Sequence, residues 1–128
     1  MARKFVFDAF QPGFRKMLRE HEEVALRFFW DEKAENVSSG DVLLYVNKKL
    51  EGGKSISRTT ISNFLQDMAD EGVLNPRRVS GKGGHYNIYT QKLNEKEYIK
   101  QVIRTLFDSL MRDFPEETKE ILRDMISE

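Results

Sequence analysis

Along most of the chain, apolar residues return every three or four positions, the period of a helix with one buried face. Phe14, Met17, Leu18, Val24, Ala25, Phe28 and Phe29 predict helix from Phe14 to about Lys33. It is either one rod or two pieces separated by the polar run Arg19–Glu23. Val42, Leu43, Tyr45, Val46 and Leu50 predict a short second helix, with Ser38 and Asp41 spaced as a capping box. Ile61, Phe64, Leu65 and Met68 fall at i, i+3, i+4 and i+7 and predict a third helix over Arg58–Glu71. Ser57 is placed to cap it, and Gly72 to end it in a left-handed turn.

The period then changes from 3.6 to 2. Val73–Ser80 and His85–Gln91 predict two strands around Gly81-Lys82-Gly83-Gly84, with Tyr86 and Ile88 facing the core. Pro76 confines the first of them to a sheet edge or an irregular start. Glu35–Ser38 is a short link that could add one small strand. From Asn94, which can cap with Glu97 completing a box, helical spacing resumes in an unbroken stripe. The stripe comprises Tyr98, Ile99, Val102, Ile103, Leu106, Phe107, Leu110, Met111 and Phe114. Pro115 opens a last helix with Ile121, Leu122, Met125 and Ile126 on one face.

Helix, helix, helix, hairpin is the order of a winged helix-turn-helix. The expected fold is mainly α with a small β-hairpin wing, followed by a C-terminal helical dimerisation segment. The expected divisions are an aromatic N-terminal segment at 1–21, the winged helix-turn-helix at 22–92 and the helical segment at 93–128. Phe5, Phe7 and Phe10 make the N-terminal segment too apolar for a free tail, so packing on this domain or on a partner is expected. The long stripe needs a cover. A two-fold partner is the simplest one, and intramolecular packing on Phe14–Leu18 is the alternative.

Composition narrows the chemistry. With 128 residues there is material for one modest core. Cysteine is absent, which excludes disulfides, thiolate catalysis and most zinc designs. Of the two histidines, His21 lies beside Glu22 and Glu23 but lacks further ligands, so no metal or cofactor is expected. No nucleophile–base pair or convergent carboxylate pair can be placed, and an enzyme is not expected. The chain carries neither an eighteen-residue apolar run nor a signal peptide, so a cytoplasmic protein without membrane contact is expected.

Formal net charge is zero, but it is unevenly spread. Residues 54–92 hold six Lys/Arg against three Asp/Glu, a net of +3. Residues 93–128 hold six against nine, a net of −3. The basic stretch contains the third helix, whose outer face carries Arg58, Thr59, Ser62, Asn63 and Gln66. Arg58 in the first turn opposes the helix dipole, and a local rule broken without structural gain points to function. These side chains suit base edges in a major groove. Arg77, Arg78 and Lys82 on the hairpin, with Lys54 before the third helix, suit phosphates or a minor groove.

Glu22–Trp30 (E-E-V-A-L-R-F-F-W), Ser57–Leu74 (S-R-T-T-I-S-N-F-L-Q-D-M-A-D-E-G-V-L) and His85–Thr90 (H-Y-N-I-Y-T) resemble the penicillinase repressor family. These beta-lactam-inducible or methicillin-resistance repressors are winged helix-turn-helix proteins with a C-terminal helical dimerisation segment. The resemblance runs from about Glu22 to the end. It implies a homodimeric repressor on double-stranded DNA, dimerised through Tyr98, Ile99, Val102, Ile103, Leu106, Phe107, Leu110 and Phe114. The family's protease-sensitive Asn-Phe bond near the dimerisation segment has no counterpart in N-E-K-E-Y-I-K-Q, and Asn63-Phe64 lies in the third helix. Beta-lactam sensing is therefore not implied. The alternative expectation is a winged helix used only for protein–protein assembly, which the zero net charge favours.

Overall fold

A computed structural model describes residues 5–127. Among these the protein is mainly helical, with five α-helices and a small antiparallel sheet of three strands. A 3₁₀ turn (Gly13–Lys16) precedes α1 (Glu20–Trp30), β1 (Val37–Ser38), α2 (Ser39–Lys49) and α3 (Arg58–Asp70). Strands β2 (Leu74–Gly81) and β3 (Gly84–Gln91) follow, then α4 (Glu95–Asp113) and α5 (Pro115–Ile126). The chain divides into two compact units between Leu93 and Asn94.

The core of the first unit is drawn from α1 (Ala25, Leu26, Phe29, Trp30), α2 (Val42, Val46), α3 (Ile61, Phe64, Leu65, Met68), Val73 in the link after α3, and Leu74 at the start of β2. All four apolar positions of the α3 spacing are buried. Trp30 anchors the far end, with its Nε1 donating to the Leu93 carbonyl at 3.1 Å. Phe28 stacks on Tyr45 with ring centres 4.4 Å apart, joining α1 to α2.

The expected caps form. Ser38 Oγ accepts from Asp41 N, and Asp41 Oδ2 accepts from Ser38 N. Ser57 Oγ accepts from Thr60 N at 3.2 Å. Gly72 ends α3 at φ +78°, a conformation that penalises a Cβ. Asn47 then fixes the loop into α3: its amide accepts from Ile56 N at 2.8 Å and donates to Ile56 O at 3.3 Å.

Two expectations are corrected. Helix does not run from Phe14. Gly13 at φ +54° opens a single 3₁₀ turn, Met17 leaves helical geometry, and α1 begins only at Glu20. The polar run is thus the first turn of α1, where Glu22 Oε1 accepts from Arg19 N at 2.7 Å and three acidic side chains complement the dipole. The small strand that Glu35–Ser38 could add does form: β1 pairs with β3 in the order β1-β3-β2, leaving Pro76 on an edge strand. Finally, the inward face of β3 is the opposite one. Tyr89 is buried, whereas Tyr86 is 45% exposed and Ile88 only half-buried. The pairing Val37↔Tyr89 sets that phase, and a shift of one residue moves a strand's side chains to the other face.

In the second unit, Asn94 Oδ1 accepts from Glu97 N at 2.8 Å and Glu97 Oε1 from Asn94 N at 2.9 Å. Pro115 occupies the first turn of α5. Tyr98 and Val102 are buried, and Ile99 and Leu106 are half-buried. Ile103, Phe107, Leu110 and Phe114 are exposed, as are Ile121, Met125 and Ile126 of α5. Among the described residues, no helix is long and apolar enough to cross a membrane.

Candidate nucleic-acid interface

Burying Ile61, Phe64, Leu65 and Met68 forces the opposite face of α3 outward. Arg58, Thr59, Asn63 and Gln66 are exposed there, and Ser62 is half-buried. Thr59, Ser62, Asn63 and Gln66 follow the i, i+3, i+4, i+7 spacing of one row. Gln66 Nε2 donates to Asp70 Oδ1 at 3.0 Å, which draws its amide towards the acidic end of the helix. Neither end of α3 is matched to its dipole: the first turn has no acid and the last turn no base.

Arg58 departs from the row. A Cβ on Gly40 would lie 3.6 Å from Arg58 Nη2, so the guanidinium turns back over the first turn of α2. There it lines an open cleft of about 520 Å³ with Ser38, Ser39, Asp41, Lys82, His85 and Tyr86. The cleft brings together a helix start, a helix cap and the tip of the hairpin, three places far apart in sequence.

The remaining cations differ in their surroundings. Lys54 Nζ lies 3.4 Å from Glu20 Oε1, so its charge is met within the fold by a carboxylate. Arg77 Nη2 donates to Asn36 Oδ1 at 3.4 Å, and Arg78 and Lys82 are exposed. Among the described residues, the side chains of Arg58, Arg78 and Lys82 make no hydrogen bond or ion pair. Lys82 and Gly83 form the hairpin turn, with Gly83 supplying φ +89°. The hairpin turn is local, but Arg58 and Lys82 line one cleft from distant parts of the chain.

His85 and Asp41 were not among the sequence candidates for this surface. His85 Nδ1 lies 3.1 Å from Ser80 Oγ across the strand pair, where Ser80 and His85 are register partners. No spacing rule links residues 41, 58 and 85, so only the sheet register and the α2–α3 packing reveal them. No group of three or more His, Cys, Asp or Glu side chains able to hold a metal occurs among the described residues.

No protein-family model matches the chain, and no curated protein sequence does. The functional reading therefore stands on the geometry of this surface.

Proposed function

We propose that this protein is a cytoplasmic transcription regulator, a repressor, that binds operator DNA as a homodimer through a winged helix-turn-helix. In this reading α2 and α3 are the helix-turn-helix and β2–β3 the wing. Thr59, Ser62, Asn63 and Gln66 face base edges in the major groove, with Arg58 at the leading end of the helix. Arg77, Arg78 and Lys82 hold the backbone. Lys54, already paired with Glu20, contributes less. The single observation carrying the proposal is the outer row of α3, an uncharged polar face on a fully anchored helix, flanked by uncompensated cations of the hairpin.

The exposed apolar residues Ile103, Phe107, Leu110 and Phe114 supply the dimer contact in this reading. Their number on one helix exceeds what scattered surface positions explain, and a two-fold partner buries them in matched pairs.

Selection on random duplexes, followed by affinity measurements over a range of salt, tests the proposal. A repressor enriches one sequence with dyad symmetry, and its affinity falls steeply as salt rises. Absence of duplex binding even at low salt favours the assembly module instead.

A further inference from the structure

We propose that the cleft between the hairpin tip and the start of α3 seats one DNA backbone phosphate, with His85 as its proton-dependent third cation. This rests on the DNA-binding reading above and assigns Arg58 to backbone rather than base.

Three observations support it. First, the Arg58 guanidinium lies over Gly40 and lines the cleft, which none of Thr59, Ser62, Asn63 and Gln66 lines. An arginine fork aimed at one point suits a phosphate's paired oxygens. Second, Lys82 reaches the same cleft from the hairpin turn, so two cations without protein partners converge there. Third, His85 lines the cleft beside them and is exposed, held by Ser80 Oγ at 3.1 Å.

The charged and titratable groups bordering the cleft are Arg58 from α3, Lys82 from the turn, Asp41 from α2, and His85 and Tyr86 from β3. The Asp41 carboxylate accepts from the Ser38 N–H through Oδ2 at 2.9 Å and borders the cleft as its one acidic side chain. With His85 neutral, two cations oppose one carboxylate, leaving a net of +1. With His85 protonated the net is +2, and the imidazolium presents a second N–H donor. A bound phosphate favours the protonated form. By linkage, proton uptake then accompanies binding, and affinity rises as pH falls. Because the phosphate carries no sequence information, the gain should be equal on all duplexes.

The test measures affinity of the full chain for a random-sequence duplex and for the selected duplex, between pH 8 and pH 5.8 at constant ionic strength. Wild type should tighten by up to ~10-fold, about what one added charge-assisted hydrogen bond contributes. The gain should be the same on both duplexes, and the salt slope should steepen by up to about one unit per seated phosphate. His85→Gln should lose the pH dependence, and His85→Arg should bind tightly at every pH. Arg58→Ala and Lys82→Ala should each lower the slope without changing the preferred sequence. Circular dichroism at each pH confirms that the variants remain folded, and these exposed positions should leave the spectrum unchanged. A pH gain that survives His85→Gln, or a shift in sequence preference with Arg58→Ala, overturns the seat while leaving DNA binding intact. Failure of the wild type to bind any duplex overturns both.

Discussion

Gly81 is glycine for reasons of space. A Cβ there would meet Tyr86 Cε1 at 2.7 Å, while its backbone lies outside the left-handed region. The ring of Tyr86 therefore lies across the end of β2. Gly81→Ala should cost about 1 kcal/mol, the low end for overpacking because an exposed tyrosine can swing aside. In a Tyr86→Ala background the same substitution should cost almost nothing, a coupling that thermal unfolding of the four proteins measures. Equal costs in both backgrounds would exclude the ring as the obstacle. His21 offers a second case. Burial holds its pKa below the ordinary 6.5, with Arg19 acting in the same direction and Glu22 and Glu20 opposing. The unfolded chain thus takes up a proton at higher pH than the folded one. Stability should be complete above about pH 6.5 and decline as pH falls through that value and below. His21→Gln should flatten this part of a thermal-stability profile, and an unchanged slope would place the titration elsewhere. Tyr86 also marks where residue-level reading stops. Alternation along β3 establishes a period but not a phase, and the phase comes from pairing with Val37 some fifty positions earlier.

Among the elements, α3 separates the residues that hold it from those that it presents. Ser57 Oγ caps the Thr60 N–H, and removing that acceptor in Ser57→Ala should lower stability by about 1 kcal/mol. Denaturant titration gives this directly, expected as a lower midpoint with an unchanged slope. No change would mean that water or the Thr60 hydroxyl, 2.9 Å from Ser57 Oγ, replaces the cap. The adjacent Arg58 should behave inversely, because its charge opposes the dipole and its exposed side chain lies over Gly40 without a hydrogen bond or ion pair among the described residues. Such local features were legible because caps, glycine stops and helix periods are written within a few residues. Ser38–Asp41, Ser57, Gly72, Asn94–Glu97 and Pro115 all act as their sequence positions imply. The break before α1 was not legible, since Phe14, Met17 and Leu18 keep helical spacing through a single 3₁₀ turn. Nor was the cleft, because Asp41, Arg58 and His85 meet only through β1–β3 pairing and α2–α3 packing. Asn47 was missed for the same reason. Its amide clamps Ile56, nine residues on, and so sets the angle at which the chain enters α3.

At the scale of the whole molecule, the proposed function requires that α3 select a long operator. A single reading helix with four polar side chains supplies too few contacts for repressor-like specificity. Two of them on successive groove faces, about 34 Å apart, supply twice as many and impose dyad symmetry on the site. In the proposed reading the second unit carries the means. Along α4, Ile103, Phe107, Leu110 and Phe114 are 46%, 40%, 44% and 59% exposed, whereas Tyr98 and Val102 are buried. That difference shows where to place a charge. At Leu106, which is half-buried, a glutamate would threaten the fold as well as any interface. At Leu110 it would meet solvent in a single chain, where surface substitutions usually change stability by about 0.5 kcal/mol or less. Across a two-fold contact the same carboxylate would be buried without a partner, twice per dimer, costing several kcal/mol. Leu110→Glu should therefore sediment as a monomer, keep the wild-type helical circular dichroism, and bind the selected duplex only as weakly as random DNA. Retention of the dimer would move the contact off this face. Attention would then pass to the Asp8–Pro12 turn, where Phe10 is 97% exposed on a loop tied by Asp8 Oδ1 to Phe10 N and by Lys16 Nζ to Ala9 O.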